Sequence, residues 1–112
     1  MSAIGIAASG LGAAQTLLGV AANNIANANT PSYDAQTVEL SDSSTGGVSV
    51  DGIDQTDQPV DLATETIAEK NAAIMYDANA LVVKLADQMY GTLLNVLDTD
   101  NNNYNPDGSQ SV

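Results

Sequence analysis

The sequence contains no Cys, His, Trp, Phe or Arg, and its only basic side chains are Lys70 and Lys84. Without Cys or His there is no disulfide framework and no Cys/His zinc site. Neither a Cys–His nor a Ser–His–Asp catalytic set can be assembled. Two cations against 14 carboxylates give a net charge of −12. That balance disfavours nucleic acid and anionic bilayers as partners, since both are held by clustered Lys or Arg. The lack of Cys leaves the redox compartment open. Aromatic side chains are limited to Tyr33, Tyr76, Tyr90 and Tyr104.

What remains is a chain of 112 residues, one small domain in size. Hydrophobic residues make up 44%, but 17 of them are Ala, so few large side chains are on hand to fill a core. An isolated monomer of this make-up is expected to be marginal. Faces built of Ala suit close helix–helix contact and point toward assembly.

Residues 1–33 carry no charged side chain. Over Ser2 to Asn29 the spacing predicts a helix: Ile4, Leu11, Leu18 and Ile25 recur every seven residues, and Ala7, Ala14, Ala21 and Ala28 follow each by three. Ser2 supplies an N-cap, and Asn27, Asn29 and Pro31 supply the stop. Gly5, Gly10, Gly12 and Gly19 oppose the helix at about 1 kcal/mol each. Such a helix is expected to fray alone and to order when its Ala seam meets a partner, where glycines permit close backbone approach. The run is long enough to span a bilayer. Ser9, Gln15, Thr16, Asn23 and Asn24 interrupt it, however, and no Lys or Arg flanks it. A cleaved signal peptide would need a basic n-region, which is missing. Neither membrane insertion nor signal cleavage is therefore expected.

Residues 34–58 form an acidic connector. Val38 and Leu40 alternate with polar residues, Ser41 to Gly47 read as a polar loop, and Val48, Val50 and Ile53 follow, the pattern of a short β-hairpin or extended linker. A second helix is predicted within 59–97, from Asp61, its N-cap, to about Leu97. Met75, Val82, Met89 and Val96 repeat every seven residues, with Ala78, Leu85 and Thr92 three later. Ile67, Ile74 and Leu81 broaden the stripe, and Lys70, Asp77 and Lys84 mark the opposite face. Residues 98–112, rich in Asn, Asp and Ser, are expected to be a disordered tail.

Little in the chain points to chemistry. Alternating oxygen side chains from Asp98 to Tyr104 faintly match a calcium loop, but Asn103 stands at its Gly position and Ser109 at its bidentate Glu position. Glu65 and Glu69 lie one helical turn apart, which ordinarily means a wet face rather than an acid–base pair. No phosphate-loop pattern is present. The chain is expected to have no catalytic, metal or cofactor site, and Met75 and Met89 to be core or interface.

Two segments resemble a known family. Ala22-Asn-Asn-Ile-Ala-Asn-Ala-Asn-Thr-Pro-Ser-Tyr33, with Ser9-Gly10-Leu11 upstream, resembles the signature of bacterial flagellar rod and hook proteins. Val60-Asp-Leu-Ala-Thr-Glu65, Tyr76-Asp-Ala-Asn-Ala80 and Ala86-Asp-Gln-Met-Tyr-Gly-Thr-Leu-Leu-Asn95 resemble that family's C-terminal motif. The resemblance covers about residues 3–40 and 59–97, and the short centre with Gly46-Gly47-Val48 is nearest the proximal-rod type.

The resemblance implies a mainly α fold in which the terminal helices pair as an antiparallel coiled-coil hairpin around a short β-hairpin or extended connector. It implies a structural subunit that self-assembles into the torque-transmitting, periplasm-spanning rod of the basal body. It also implies export through the flagellar type III apparatus without a cleaved signal peptide, and partners among other rod and hook subunits and copies of itself. The implied assembly interface comprises Ile4, Leu11, Leu18, Asn23, Asn24, Ile25, Asn27, Met75, Ala78, Val82, Leu85 and Met89, with Asn23–Asn27 ending the first helix and making polar contacts between subunits. The sequence departs from the family at Ser32, where Gly is usual, and at Asp34, where a basic residue is frequent. The alternative is a stand-alone helical-hairpin interaction or adaptor protein outside the rod. A rod subunit should be largely monomeric and partly unfolded in dilute solution, whereas a stand-alone module should be fully helical.

Overall fold

The computed structural model describes residues 2–103, and the side chains of 2–99. Its elements run α1 (Ala3–Ala26), β1 (Asp34–Asp42), β2 (Val48–Pro59) and α2 (Leu62–Asn103). The fold is mainly α: two long helices with an antiparallel hairpin between them.

Both helices start where local chemistry dictates. Ser2 Oγ accepts from Gly5 N at 3.1 Å, satisfying one of the backbone donors that a first turn leaves free. Asp61 Oδ1 does the same at α2, accepting from Ala63 N at 3.0 Å and Thr64 N at 3.3 Å. Glu65 adds a carboxylate to that first turn, where the helix dipole favours it. α2 continues six residues past the predicted end at Leu97, through 98–103, where the disordered tail and the calcium-loop pattern were expected to begin. The rest of both, 104–112, lies outside the described residues.

α1 and α2 run antiparallel. Gly10 lies against Asn79, while Leu17, Val20 and Ala21 share a cleft with Thr64, Glu65 and Ala68. The core is made of small residues: Ala7, Ala13, Ala14, Val20, Ala21 and Ala72 are its buried hydrophobics. A Cβ on Gly10 would sit 2.6 Å from the Asn79 side chain, so this glycine sets how closely the helices approach.

That closeness changes the seam expected on α2. Of the expected seam only Met75 turns inward; Ala78, Val82, Leu85, Met89, Thr92 and Val96 are exposed, and the inward line is Ala68, Ala72, Met75, Asn79, Val83 and Ala86. Only small or slender side chains fit between axes held together by Ala7, Gly10 and Ala14. On α1 the Ala positions of the predicted heptad are buried, whereas Ile4, Leu11 and Ile25 are half-buried and Leu18 is exposed.

The hairpin pairs Asp34 with Pro59 at its base and Asp42 with Val48 at its tip, with irregularities between Asp34 and Gln36 and between Glu39 and Leu40. Ser41 and Asp42, read from sequence as loop, are the last paired residues of β1. Gly46 and Gly47 turn the tip with positive φ of 96° and 85°.

Between α1 and β1 the chain reverses through Thr30-Pro31-Ser32-Tyr33, closed by Tyr33 N donating to Thr30 O at 3.2 Å. Pro31 occupies the second position and Ser32 the third with φ 61°, the arrangement of a type II turn, whose third position favours Gly. Ser32 is therefore strained in the position where the resembled family has Gly. Replacing it with Gly should stabilise the fold by about 1 kcal/mol and raise the melting temperature by roughly 4 °C. Thermal denaturation followed by circular dichroism checks this, and an unchanged or lower midpoint counts against the strain.

Candidate assembly interface

The Asn-rich exit of α1 folds back on its own chain. Asn24 is fully buried, and its amide is spent within the molecule. Its Nδ2 donates to Gln36 O at 2.9 Å, and its Oδ1 accepts from Gln36 N at 2.8 Å and from Tyr33 Oη at 3.3 Å. A single side chain thus pairs with both backbone groups of one β1 residue, as a neighbouring strand would. Asn23, which is exposed, donates through Nδ2 to Tyr33 Oη at 2.8 Å and Gln36 Oε1 at 3.2 Å. Asn27 caps the helix end: its backbone N–H reaches Asn23 O, and its Nδ2 donates to the same oxygen at 2.9 Å. Thr30 Oγ1 then donates to Asn27 Oδ1 at 3.2 Å.

These asparagines close the helix exit as expected of Asn side chains leaving a helix. Asn24 offers no surface to a neighbouring subunit, since every contact it makes is internal. Tyr33 and Gln36 complete the cluster. Tyr33 belongs to the quoted motif, but Gln36 was not singled out, because no local signal ties it to a residue twelve positions earlier.

A second anchor holds the hairpin tip. Ser9 Oγ donates to Ile6 O at 2.6 Å and accepts from Val48 N at 3.1 Å. With Asn24 at one end of the hairpin and Ser9 at the other, the hairpin lies along α1.

The outward side of α2 is of a different kind. Ile67, Ile74, Leu81, Leu85, Met89 and Leu93 are all roughly half exposed or more, Met89 at 73%. Their spacing of four and seven residues puts them along one side of the helix. Toward the C-terminal end, Leu85, Met89, Leu93 and Val96 line a shallow apolar groove with Gln88 and Thr92. Of the predicted interface residues, Met75 faces inward, Ala78, Val82, Leu85 and Met89 are exposed, and Asn27 is half-buried. An exposed apolar stripe of this length on a small chain marks an interaction surface.

Carboxylates crowd the hairpin. The Asp54 carboxyl beside Glu39 across the strands, with Asp51 adding further negative charge, holds the Glu39 carboxyl above its ordinary value of 4.5. A carboxyl raised in the folded state contributes stability that is complete below 4.5 and is lost as pH rises through the raised value. Glu39→Gln should therefore melt higher than the parent at neutral pH, and the difference should vanish in acid. Melting curves of both proteins across that range give the check: parallel pH profiles would refute the coupling.

Among the described residues no group of three or more acidic side chains is placed to hold a metal ion. By length and composition α1 is apolar enough to cross a membrane, though here one side of it is packed on α2 and the hairpin.

No curated protein matches the chain. The family model described as flagella basal body rod protein matches residues 4–33, a span that begins in the first turn of α1 and ends at Tyr33, the tyrosine bound to Asn23 and Asn24.

Proposed function

We propose that this protein is a structural subunit of the bacterial flagellar basal-body rod, nearest the proximal-rod type, and not an enzyme. The observation that carries the reading is the match of residues 4–33 to the rod family, over the segment whose Asn–Tyr cluster fixes the helix exit. On this reading α1 and α2 supercoil as an antiparallel coiled coil through their small-residue seam. Copies and other rod or hook subunits cover the open stripe of α2, and many such seams acting in parallel resist torsion as the rod transmits torque. The chain reaches the periplasm-spanning rod through the flagellar type III apparatus, with no signal peptide removed.

The exposure of Ile67, Ile74, Leu81 and Met89 supports an assembled rather than a solitary working state. Mass spectrometry of detergent-stripped basal bodies from the source organism tests the reading. The chain should appear at a copy number comparable to known rod subunits, and deletion of its gene should abolish swimming. Its absence from basal bodies of cells that express it would replace this reading with that of a helical-hairpin adaptor.

A further inference from the structure

We infer that the open stripe of α2 in one copy docks on the outer side of α1 in the next copy, in a head-to-tail contact between unlike surfaces. The inference rests on the self-assembly part of the function proposed above and specifies which faces meet.

Register sets the geometry. With Gly10 opposite Asn79, Ala3 lies level with Ala86, seven residues further along each helix. The remainder of α2 to Asn103 projects past α1 by about 17 residues, roughly 25 Å. Leu85, Met89, Leu93 and Val96 thus lie at or beyond the end of their own copy's α1, within reach of another copy.

Charge selects the occupant. The projecting segment carries Asp87, Asp98 and Asp100 and no cation, and the chain as a whole is at −12. Two α2 stripes laid together would bring both sets of aspartates into one interface. The hairpin is no better, with Asp34, Glu39, Asp42, Asp51, Asp54 and Asp57. α1 alone has no charged side chain, so it covers the stripe without adding like charge.

Shape agrees with charge. Ala8, Gly12, Gln15, Gly19 and Ala22 are exposed on α1, at the three- and four-residue steps that mark one side of a helix. A Cβ at Gly12 or Gly19 would meet nothing within 4 Å among the described residues, so no contact there requires these glycines. Together they cost the helix about 2 kcal/mol relative to Ala. Large side chains on α2 and open positions on α1 are complementary, as knobs and holes. Because the two faces differ, each copy in a docked pair keeps the face it has not used, so the pair still presents one stripe and one α1 side, and the contact extends into an open chain rather than closing as a dimer.

The test uses the full chain at high concentration in molar salt, where repulsion is screened. One variant, G12Q/G19Q, fills the outer side of α1. The other, M89D/L93D, breaks the stripe beyond the paired region. In sedimentation velocity the parent should grow in mass with concentration without a plateau, and each variant should stay monomeric. An equimolar mixture of the two should give a one-to-one complex that grows no further, because each supplies the face that the other lacks. Circular dichroism should show G12Q/G19Q at least as helical as the parent, separating loss of docking from loss of fold. A parent that stops at a dimer or stays monomeric, glutamine variants that assemble like the parent, or a mixture that remains monomeric would each overturn the contact. Presence of the chain in basal bodies is read separately, so the rod assignment and this contact can fail independently.

Discussion

Asn24→Leu should cost about 3 kcal/mol of folding stability, the largest loss expected from any single polar substitution in this chain. Leu nearly matches Asn in shape, so the loss comes from hydrogen bonding rather than volume. Three bonds disappear: the two to the Gln36 peptide and the one from Tyr33 Oη. The site is fully closed to solvent, and a donor or acceptor left unpaired there costs roughly 1–3 kcal/mol. Asn24→Asp should not rescue it. A carboxylate can still accept from Gln36 N and Tyr33 Oη, but it cannot donate to Gln36 O, and it places a charge in the interior. Asn23→Ala removes bonds from an exposed side chain and should cost about 1 kcal/mol or less. Urea denaturation of the four proteins gives the ranking, and hydrogen exchange at the Gln36 amide localises it. An Asn24→Leu loss below that of Asn23→Ala would mean that the buried amide is not what holds β1 to α1.

Gly47→Ala should be nearly as damaging, by about 2–4 kcal/mol, through backbone strain and collision together. Gly47 has φ 85°, a left-handed conformation that costs other residues roughly 1–2 kcal/mol. Its added Cβ would also run into Ser9 Oγ, and that oxygen is not free to move. It already donates to Ile6 O and accepts from Val48 N. Relief therefore breaks the bond that seats the hairpin tip on α1. Gly52→Ala is the control: a Cβ there meets nothing within 4 Å and the position has no positive φ, so the change should be close to neutral. Val48 amide exchange should rise in Gly47→Ala and not in Gly52→Ala. Equal effects of the two substitutions would show that the tip is not anchored through Ser9.

These two anchors mark the limit of what the sequence discloses. Helix starts were legible at Ser2 and Asp61, because a cap bonds to its own first turn and needs no information from elsewhere. The helix stop supplied by Asn27, Asn29 and Pro31 was legible for the same reason, although the turn that follows and the strain at Ser32 required φ itself. Strands were visible as alternation around Val38 and Leu40, but their ends were not, since polar Ser41 and Asp42 pair with Ser49 and Val48.

The inward face of α2 could not be read locally. Its sequence offers two stripes, one of Ala and Asn and one of Ile, Leu and Met, and hydrophobicity favours burying the second. The choice falls to Ala7, Gly10 and Ala14 on a distant segment, which bring the axes too close for large side chains. Asn24 was similarly ambiguous among its neighbouring asparagines, because what distinguishes it is Gln36, met only after the chain has reversed.

The order of elements along the chain has a kinetic consequence. α1 is made first, yet its partner is the last element, and residues as far apart as Ala3 and Ala86 come level. At about 5–20 residues per second, a ribosome takes roughly 4–16 seconds to synthesise the stretch between them. Through that interval the nascent glycine-bearing segment has no helix to lie against, and such long-range closure is slow to begin with. Until α2 has been made, α1 therefore stays a loose thread with nothing to fold against, and the two helices can close only late in synthesis.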